Sequence, residues 1–391
     1  MKPLEGIKVV ELSTMITASF AAMMMAEQGA SVIKVEPLEL GDPMRHLGSN
    51  KGGISGLFAN CNRGKRSLSI NLKADEGKAL LKELAAEADV LLCNYRPGVM
   101  DELGVGSDVL RAANPRLIYA AISGFGAAGP ERNTPAYDPV IQARSGIAAS
   151  QGIGAPEFVR NLTCDKITAY TACQAVTAAL FQRERTGEGQ HIELSMLDAG
   201  LFFIFPDGFM HHTLLDEDVE HHPPLSMFLY DLAETRDGAV TISGATEAQQ
   251  IGLIMAIEQV HLMADERFNS QEKLLANLEE FRALLADVIK EFTTDELLER
   301  LKAHDVPAAK LLTHEEVLAQ EQLAAMGSID TAPHPHLGTM RRVKAPAMFG
   351  GERLAPARDC PAHGEHNAEI LAELGRDEGA VQALRDSGVL G

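Results

Sequence analysis

The strongest constraint on the fold is a strand, helix, strand succession at the start of the chain. GIKVVEL at 6–12 and SVIKVE at 31–36 are rich in β-branched residues, whereas the TASFAAMMMAEQG between them is Ala/Met-rich and closes on Gly29, a fitting helix C-cap. The pattern recurs. A helix is expected over Ala74 to Ala88, a strand at 89–93, a short helix near 107–113 and a strand at 117–122. A long helix from Asp165 to Gly187 then leads into the strand QHIELSM. Strands and helices alternating at this length imply an α/β fold: a Rossmann-like parallel sheet with helices on both faces.

The chain has 391 residues, enough for more than one domain. A large domain is expected over 1–212. The polar, proline-bearing text at 213–227 reads as a linker. A smaller α+β domain is expected over 228–328, opening on a hairpin that turns at Asp237-Gly238. The segment 329–391 reads as a second linker and a return to the large domain, ending in a helix near 366–376. A net charge of −20 opposes binding to a phosphate backbone, so nucleic acid is excluded as a partner. No apolar run approaches the roughly 20 residues of a membrane span, and no signal-peptide core follows the first residues. Five cysteines without C-x-x-C spacing argue against a disulfide framework or a zinc ribbon, so the protein is expected in the cytoplasm.

Several motifs carry possible chemistry. Gly124 to Gly129 matches G-x-G-x-x-G, but it runs into Pro130 and Pro135 and opens no helix, so it reads as a loop over a site rather than a dinucleotide fingerprint. Residues 61–73 hold Arg63, Lys65, Arg66 and Lys73 and no acid. Such a cluster is either a solvated loop and strand edge or a phosphate site, which Arg96 would extend. Asp165 precedes the long helix and is read as its N-cap, where the positive helix end keeps a carboxylate ionised. The pairs His211-His212 and His221-His222 match no ligand set, and no metal is expected. Arg144 and Arg160 read as ion-pair residues before carboxylate ligands.

Taken together, GIKVVELS, QGASVIKVEPLELGDPMR, NRGKRSLSINLK, NYRPGVMDELG, ISGFGAAGP, TPAYDPVIQARSG, the Asp165 helix, RTGEGQHIELSMLDA and GEHNAEILAELG resemble the family III CoA-transferases, the CaiB/BaiF group. That group includes formyl-CoA and carnitine CoA-transferases and α-methylacyl-CoA racemases, and the likeness runs over nearly the whole chain. It implies a catalytic aspartate at Asp165 and an interlocked homodimer of threaded rings. It also implies coenzyme A, as substrate, bound through Ile16, Thr17, Ile70, Lys73, Asn94, Tyr95, Arg96, Leu103, Tyr137 and Met196. The implied reaction moves CoA from an acyl-CoA thioester to a small carboxylic acid through an aspartyl anhydride and an aspartyl-CoA thioester.

Within the family, racemases carry histidine where this chain has Tyr137. A phenol of pKa near 10 is a poor base for an α-proton at neutral pH, so transfer is favoured. Glu247 resembles a racemase position, which leaves an acyl-CoA racemase or epimerase as the second reading; a CoA-binding protein without activity is the third. Three departures, Ile16 for a glutamine, Pro37 for an arginine and a glycine-free TLLDEDVEHHPPLS, argue against oxalate as acceptor. Gly124 to Gly129 and the loop at 213–226 are the expected water-excluding lids.

Overall fold

The computed structural model describes residues 1–152, 154–222 and 230–391. The chain divides into two compact units, Met1–Phe209 with Ala325–Gly391, and Met210–Ala324. Of the expected linker at 213–227, residues 223–227 lie outside the described residues, as do 223–226 of the loop proposed as a lid.

The larger unit is built on a parallel sheet of six strands: β1 (Lys8–Leu12), β2 (Ser31–Glu36), β3 (Lys65–Ser69), β4 (Val90–Cys93), β5 (Ile118–Ser123) and β6 (His191–Ser195). Their order is β3-β2-β1-β4-β5-β6. Val9 on β1 sits opposite Val32 on one side and Val90 on the other, so β1 and β4 are where the winding reverses. The crevice beyond the carboxyl ends of these two strands is where such sheets bind ligands.

Both faces of the sheet are covered. On one lie α1 (Thr17–Glu27) and α4 (Thr163–Thr186), whose meeting faces are small: Ala18, Ala21 and Ala22 against Ala169, Ala172 and Val176. Small side chains let the two backbones approach. The other face is filled by α2 (Asp75–Glu87), through Leu80, Leu81 and Leu84. Packed with it are the C-terminal helices α9 (Asn367–Glu373) and α10 (Glu378–Asp386), through Ile370, Leu371 and Val381. Each such leucine contributes roughly 1.5–3 kcal/mol by leaving water. Gly187, in the left-handed region at φ 79°, ends α4, and its N–H bonds Arg183 O at 2.8 Å.

β3 is an edge strand, yet all five of its residues are buried. The chain's last residues close the edge. Ser69 N–H donates to Asn367 Oδ1 at 2.9 Å, Gly391 N–H to Ser69 O at 3.1 Å, and Ile70 bridges Leu390.

The smaller unit has an antiparallel sheet of β7 (Leu232–Glu234), β8 (Ala239–Ile242) and β9 (Ala308–Lys310), in the order β9-β8-β7. Its helices include α6 (Glu247–Ala256), α7 (Leu278–Ile289) and α8 (Thr294–Ala303), with Val240, Ile289, Leu297 and Leu301 at the core. Asp237, at the hairpin turn, accepts both the N–H (2.7 Å) and the hydroxyl (2.8 Å) of Thr294 and so ties the turn to α8.

Candidate active site

The crevice begins where β1 ends. Met15 takes the left-handed conformation at φ 62°, which a non-glycine residue adopts only when held there, and its N–H is held by Asp42 Oδ1 at 3.1 Å. Ile16 stands at the N-cap of α1 and offers the helix no side-chain acceptor. From β4 across the crevice, Asn94 accepts Thr14 N–H at 3.1 Å and donates to Thr14 O at 2.6 Å and Thr17 Oγ1 at 3.0 Å. Asn94 therefore clamps the two strand ends together, and Ile16, Thr17 and Asn94 converge there.

Tyr95 and Leu103 are half-buried, while Arg96 and Lys73 are exposed. Ile70 is buried against Leu390, Met196 is buried as the first residue of α5 (Met196–Gly208), and Tyr137 is 69% exposed. A cavity of about 610 Å³ opens beyond β4, β5 and β6, lined by Tyr95, Arg96, Ser123, Gly126 and Ser195 among others. The loop Gly124 to Gly129 borders it and opens no helix. Arg96 faces Asp101, Asp108, Glu193 and Asp198 within this lining, an acidic balance that disfavours a polyphosphate.

The cationic run at 61–73 forms an edge strand over Lys65–Ser69 rather than a solvated loop, and three of its four cations are paired within the fold. Lys65 is fully buried, with Nζ 2.6 Å from Glu11 Oε2 and bonded to Asn62 Oδ1 and Ser19 O, each at 2.7 Å. Arg63 pairs with Glu27, and Arg66 lies 2.5 Å from Glu373 and 3.1 Å from Glu369. A run that looks unpaired in sequence is neutralised by acids distant in the chain, so of its cations only Lys73 stays exposed.

Lys65 belongs to a larger buried network. Lys34 Nζ lies 2.7 Å from Glu11 and 2.9 Å from Asp42, and Arg45 lies 2.7 Å from Glu36. Three carboxylates thus meet three cations beneath the turn at Met15. Burial pushes Glu11 up, but Lys34 and Lys65 outweigh it and hold its carboxyl at about 2.

Asp165 lies in the first turn of α4, but it is not the N-cap; Leu162 holds that position. Asp138 supplies the missing acceptor. Its Oδ2 takes the Asp165 N–H at 3.1 Å, so the nucleophile candidate is left without a capping duty. Asp138 opens α3 (Asp138–Ser145), and its Oδ1 accepts Gln142 Nε2 at 2.5 Å. The buried Gln142 amide also bonds Val159 N, Val159 O and Asn161 O at 2.9, 3.0 and 3.2 Å, fixing the strand of loop that delivers α4.

The expectation that the helix end keeps Asp165 ionised is overturned. Burial pushes its carboxyl up, the Asp138 charge adds to this, and Lys166 offsets only part, leaving it at about 7. Desolvation is the largest of these influences, and only 7% of the residue meets solvent. A carboxylate that is poorly solvated and half ionised near neutrality is a strong candidate for attack on an acyl carbon.

Arg144 is in an exposed ion pair with Glu131 at 2.9 Å, and Arg160 is exposed. Glu247 is the exposed first residue of α6, within the Thr246/Gln249 capping box. Among the described residues no cluster of His, Cys, Asp and Glu could hold a metal ion. Sequence reasoning missed Asp138 and Gln142. Asp138-Pro139 at a helix start, with Gln142 four residues on, was the available signal.

The model of CoA-transferase family III matches residues 4–367. An acyl-CoA transferase of Fusarium pseudograminearum is 31% identical, over 99% of this chain and 88% of its own. A succinate–glutarate CoA-transferase of Agrobacterium fabrum is 30% identical, over 95% and 96%. The crystal structure of a CAIB/BAIF family protein from Brucella suis superimposes with a TM-score of 0.83 at 31% identity, covering 95% of this chain and 99% of that one.

Proposed function

The chain belongs to CoA-transferase family III, an enzyme class, and from that premise we propose that it moves CoA from an acyl-CoA thioester to a small carboxylic acid with Asp165 as nucleophile. The observation that carries this reading is the placement of Asp165: buried, in the first turn of α4, with its N–H held by Asp138.

In the first step an ionised Asp165 oxygen attacks the thioester carbonyl. The C–S bond breaks and its electron pair leaves with the CoA thiolate, giving a mixed anhydride. The thiolate then attacks the aspartyl carbonyl, releasing the donor acid as carboxylate and leaving an aspartyl-CoA thioester. The acceptor carboxylate attacks that thioester, forming a second anhydride and freeing the thiolate again. Attack of thiolate on the acceptor's acyl carbon yields the new acyl-CoA and restores the Asp165 carboxylate. Both anhydrides hydrolyse readily, so water must be kept out and CoA kept bound between steps. The loop Gly124 to Gly129 is the lid candidate within the described residues. For CoA itself, the turn at Ile16 and Thr17, with Asn94 and Tyr95 across from it, is the best-formed set of contacts; Lys73 is the exposed cation for its phosphates.

The same reading makes the protein a homodimer, in the threaded form of the family. Phe202, 84% exposed, stands with Phe203 and Phe205 on α5, an apolar display that supports burial against a second copy. Its cysteines are all free thiols, in keeping with a cytoplasmic enzyme, and among the described residues no helix is long and apolar enough to cross a membrane.

Asp165→Ala is expected to lower CoA exchange at least ~10³-fold while leaving the circular dichroism spectrum unchanged. Hydroxylamine added after acyl-CoA should trap Asp165 in the unmodified protein. Full exchange by the variant removes Asp165 from the mechanism. Wash-in of solvent deuterium at the α-carbon without an acceptor acid transfers the reading to a racemase, and the absence of any trapped adduct or turnover to a binding protein.

A further inference from the structure

The hydrogen bonds that set the start of α4 converge on one side chain. Gln142 of α3 is buried, and its amide works at both ends: Nε2 donates to Asp138 Oδ1, Val159 O and Asn161 O, while Oε1 accepts the Val159 N–H. Two of these partners lead to Asp165 by separate routes. Asp138, one turn before Gln142 on α3, takes the Asp165 N–H on its other oxygen. Asn161 takes the Thr163 N–H on its carbonyl at 2.7 Å and the Lys166 ammonium on its side chain. Asp138 is therefore held by Gln142 directly, and Lys166 through Asn161.

We propose that Gln142 is a positioning residue for CoA transfer: through Asp138 and through Asn161, one buried amide places both charged side chains that act on Asp165, and it spares the Asp165 carboxyl from capping its own helix. The inference rests on Asp165 being the nucleophile. Among the described residues no hydrogen bond steadies the Asp165 carboxyl itself, so its reactivity depends on what surrounds it. Asp138 from α3 and Lys166 from α4 are the charges felt there; α1, α5, β5 and β6 also pack on α4 and add none among the described residues. The adjacent Cys164 thiol is neutral, pushed up to about 12 by burial.

The residue type follows from the bonds. An apolar side chain at this position leaves the Val159 N–H and the carbonyls of Val159 and Asn161 without the amide they pair with, and a glutamate sets a second carboxylate against Asp138. With the amide gone, nothing holds Asp138 to the Asp165 N–H. The Asp165 carboxyl then folds back onto the free N–H groups of α4, and Asn161 loosens and releases Lys166 toward it. Both changes favour the ionised carboxylate and spoil its line of attack.

The test follows CoA exchange by the full chain, with the fastest of acetyl-CoA, formyl-CoA and succinyl-CoA as donor and glutarate as acceptor. In the unmodified protein kcat/KM for the donor is expected to fall with acid through a midpoint at about 7, as Asp165 takes up its proton. Gln142→Met is expected to lower kcat at pH 8 at least ~30-fold with KM changed by less than about threefold, and to move that midpoint down by about one pH unit or more. Gln142→Asn keeps the amide on a shorter arm; it should give smaller changes of the same sign, and it carries the test should Gln142→Met fail to fold. A midpoint that stays in place or rises, an unchanged kcat, or a KM that rises as far as kcat falls makes Gln142 a structural residue and overturns the inference while CoA transfer stands. Full exchange by Asp165→Ala, or no exchange from any of the three donors, overturns the Asp165 reading and the inference with it.

Discussion

Two groups of buried charges sit close in the chain's architecture and behave in opposite ways. Beneath the turn at Met15, Glu11, Glu36 and Asp42 meet Lys34, Lys65 and Arg45, and every carboxylate has a cation within 3 Å. At the start of α4, Asp165 is buried beside another carboxylate, Asp138, with Lys166 as partial compensation. The first group is satisfied and holds Glu11 at about 2; the second is unsatisfied and lifts Asp165 to about 7. Pairing makes a charge structural, and withholding a partner makes it reactive. The fold places the satisfied set under the crevice as a rigid floor and keeps the unsatisfied one for chemistry.

Breaking the satisfied set is expected to cost most in stability. Glu11→Gln leaves Lys65 without a carboxylate in the interior and Lys34 with Asp42 alone, and the loss should be about 3–5 kcal/mol in denaturant unfolding at pH 7. Because the folded pKa of Glu11 lies below its unfolded value of 4.5, its contribution is present above pH 4.5 and disappears as pH falls through about 2. A variant as stable as the parent at pH 7 shows that the network is not structural.

Relieving the unsatisfied set should do the reverse. The folded pKa of Asp165 is raised from 3.8 to about 7, so its contribution favours the native state below pH 3.8 and is lost as pH rises through 7. Asp165→Asn is therefore expected to be inactive yet more stable than the parent at pH 8, by roughly 2–4 kcal/mol, with the gap closing near pH 4. Equal unfolding midpoints at pH 8 contradict the strain. At the bottom of the scale stands Arg144–Glu131, half in water, where Arg144→Ala should change stability by less than about 1 kcal/mol. A larger loss in the same unfolding assay means that exposure is no guide to which charges matter here.

Much of this was legible beforehand. The strands β1 and β2 and the helix α4 could be placed to within a residue or two, since periodicity and the glycine stop at Gly187 are local signals. Asp165 stood out by its place at the head of the long helix, whereas Ile16, Thr17 and Asn94 were named through the family resemblance of the motifs that hold them. The reading of Arg63, Lys65 and Arg66 failed because their acids lie elsewhere: Glu27 and Glu11 upstream, Glu369 and Glu373 some 300 residues on. β3 was hidden likewise, as an edge strand whose cover comes from the C-terminus.

The division has a physical basis. Backbone preferences and the alternation of apolar residues act over a few positions, so the order of strands and helices, and the presence of an acid at the head of a long helix, were set by the sequence directly. The state of a charge depends on the dielectric and the neighbours around it, which only folding brings together. Tertiary structure alone decided that Lys65 is sealed against Glu11, that Asp138 rather than Asp165 caps α4, and that the candidate nucleophile titrates near neutrality.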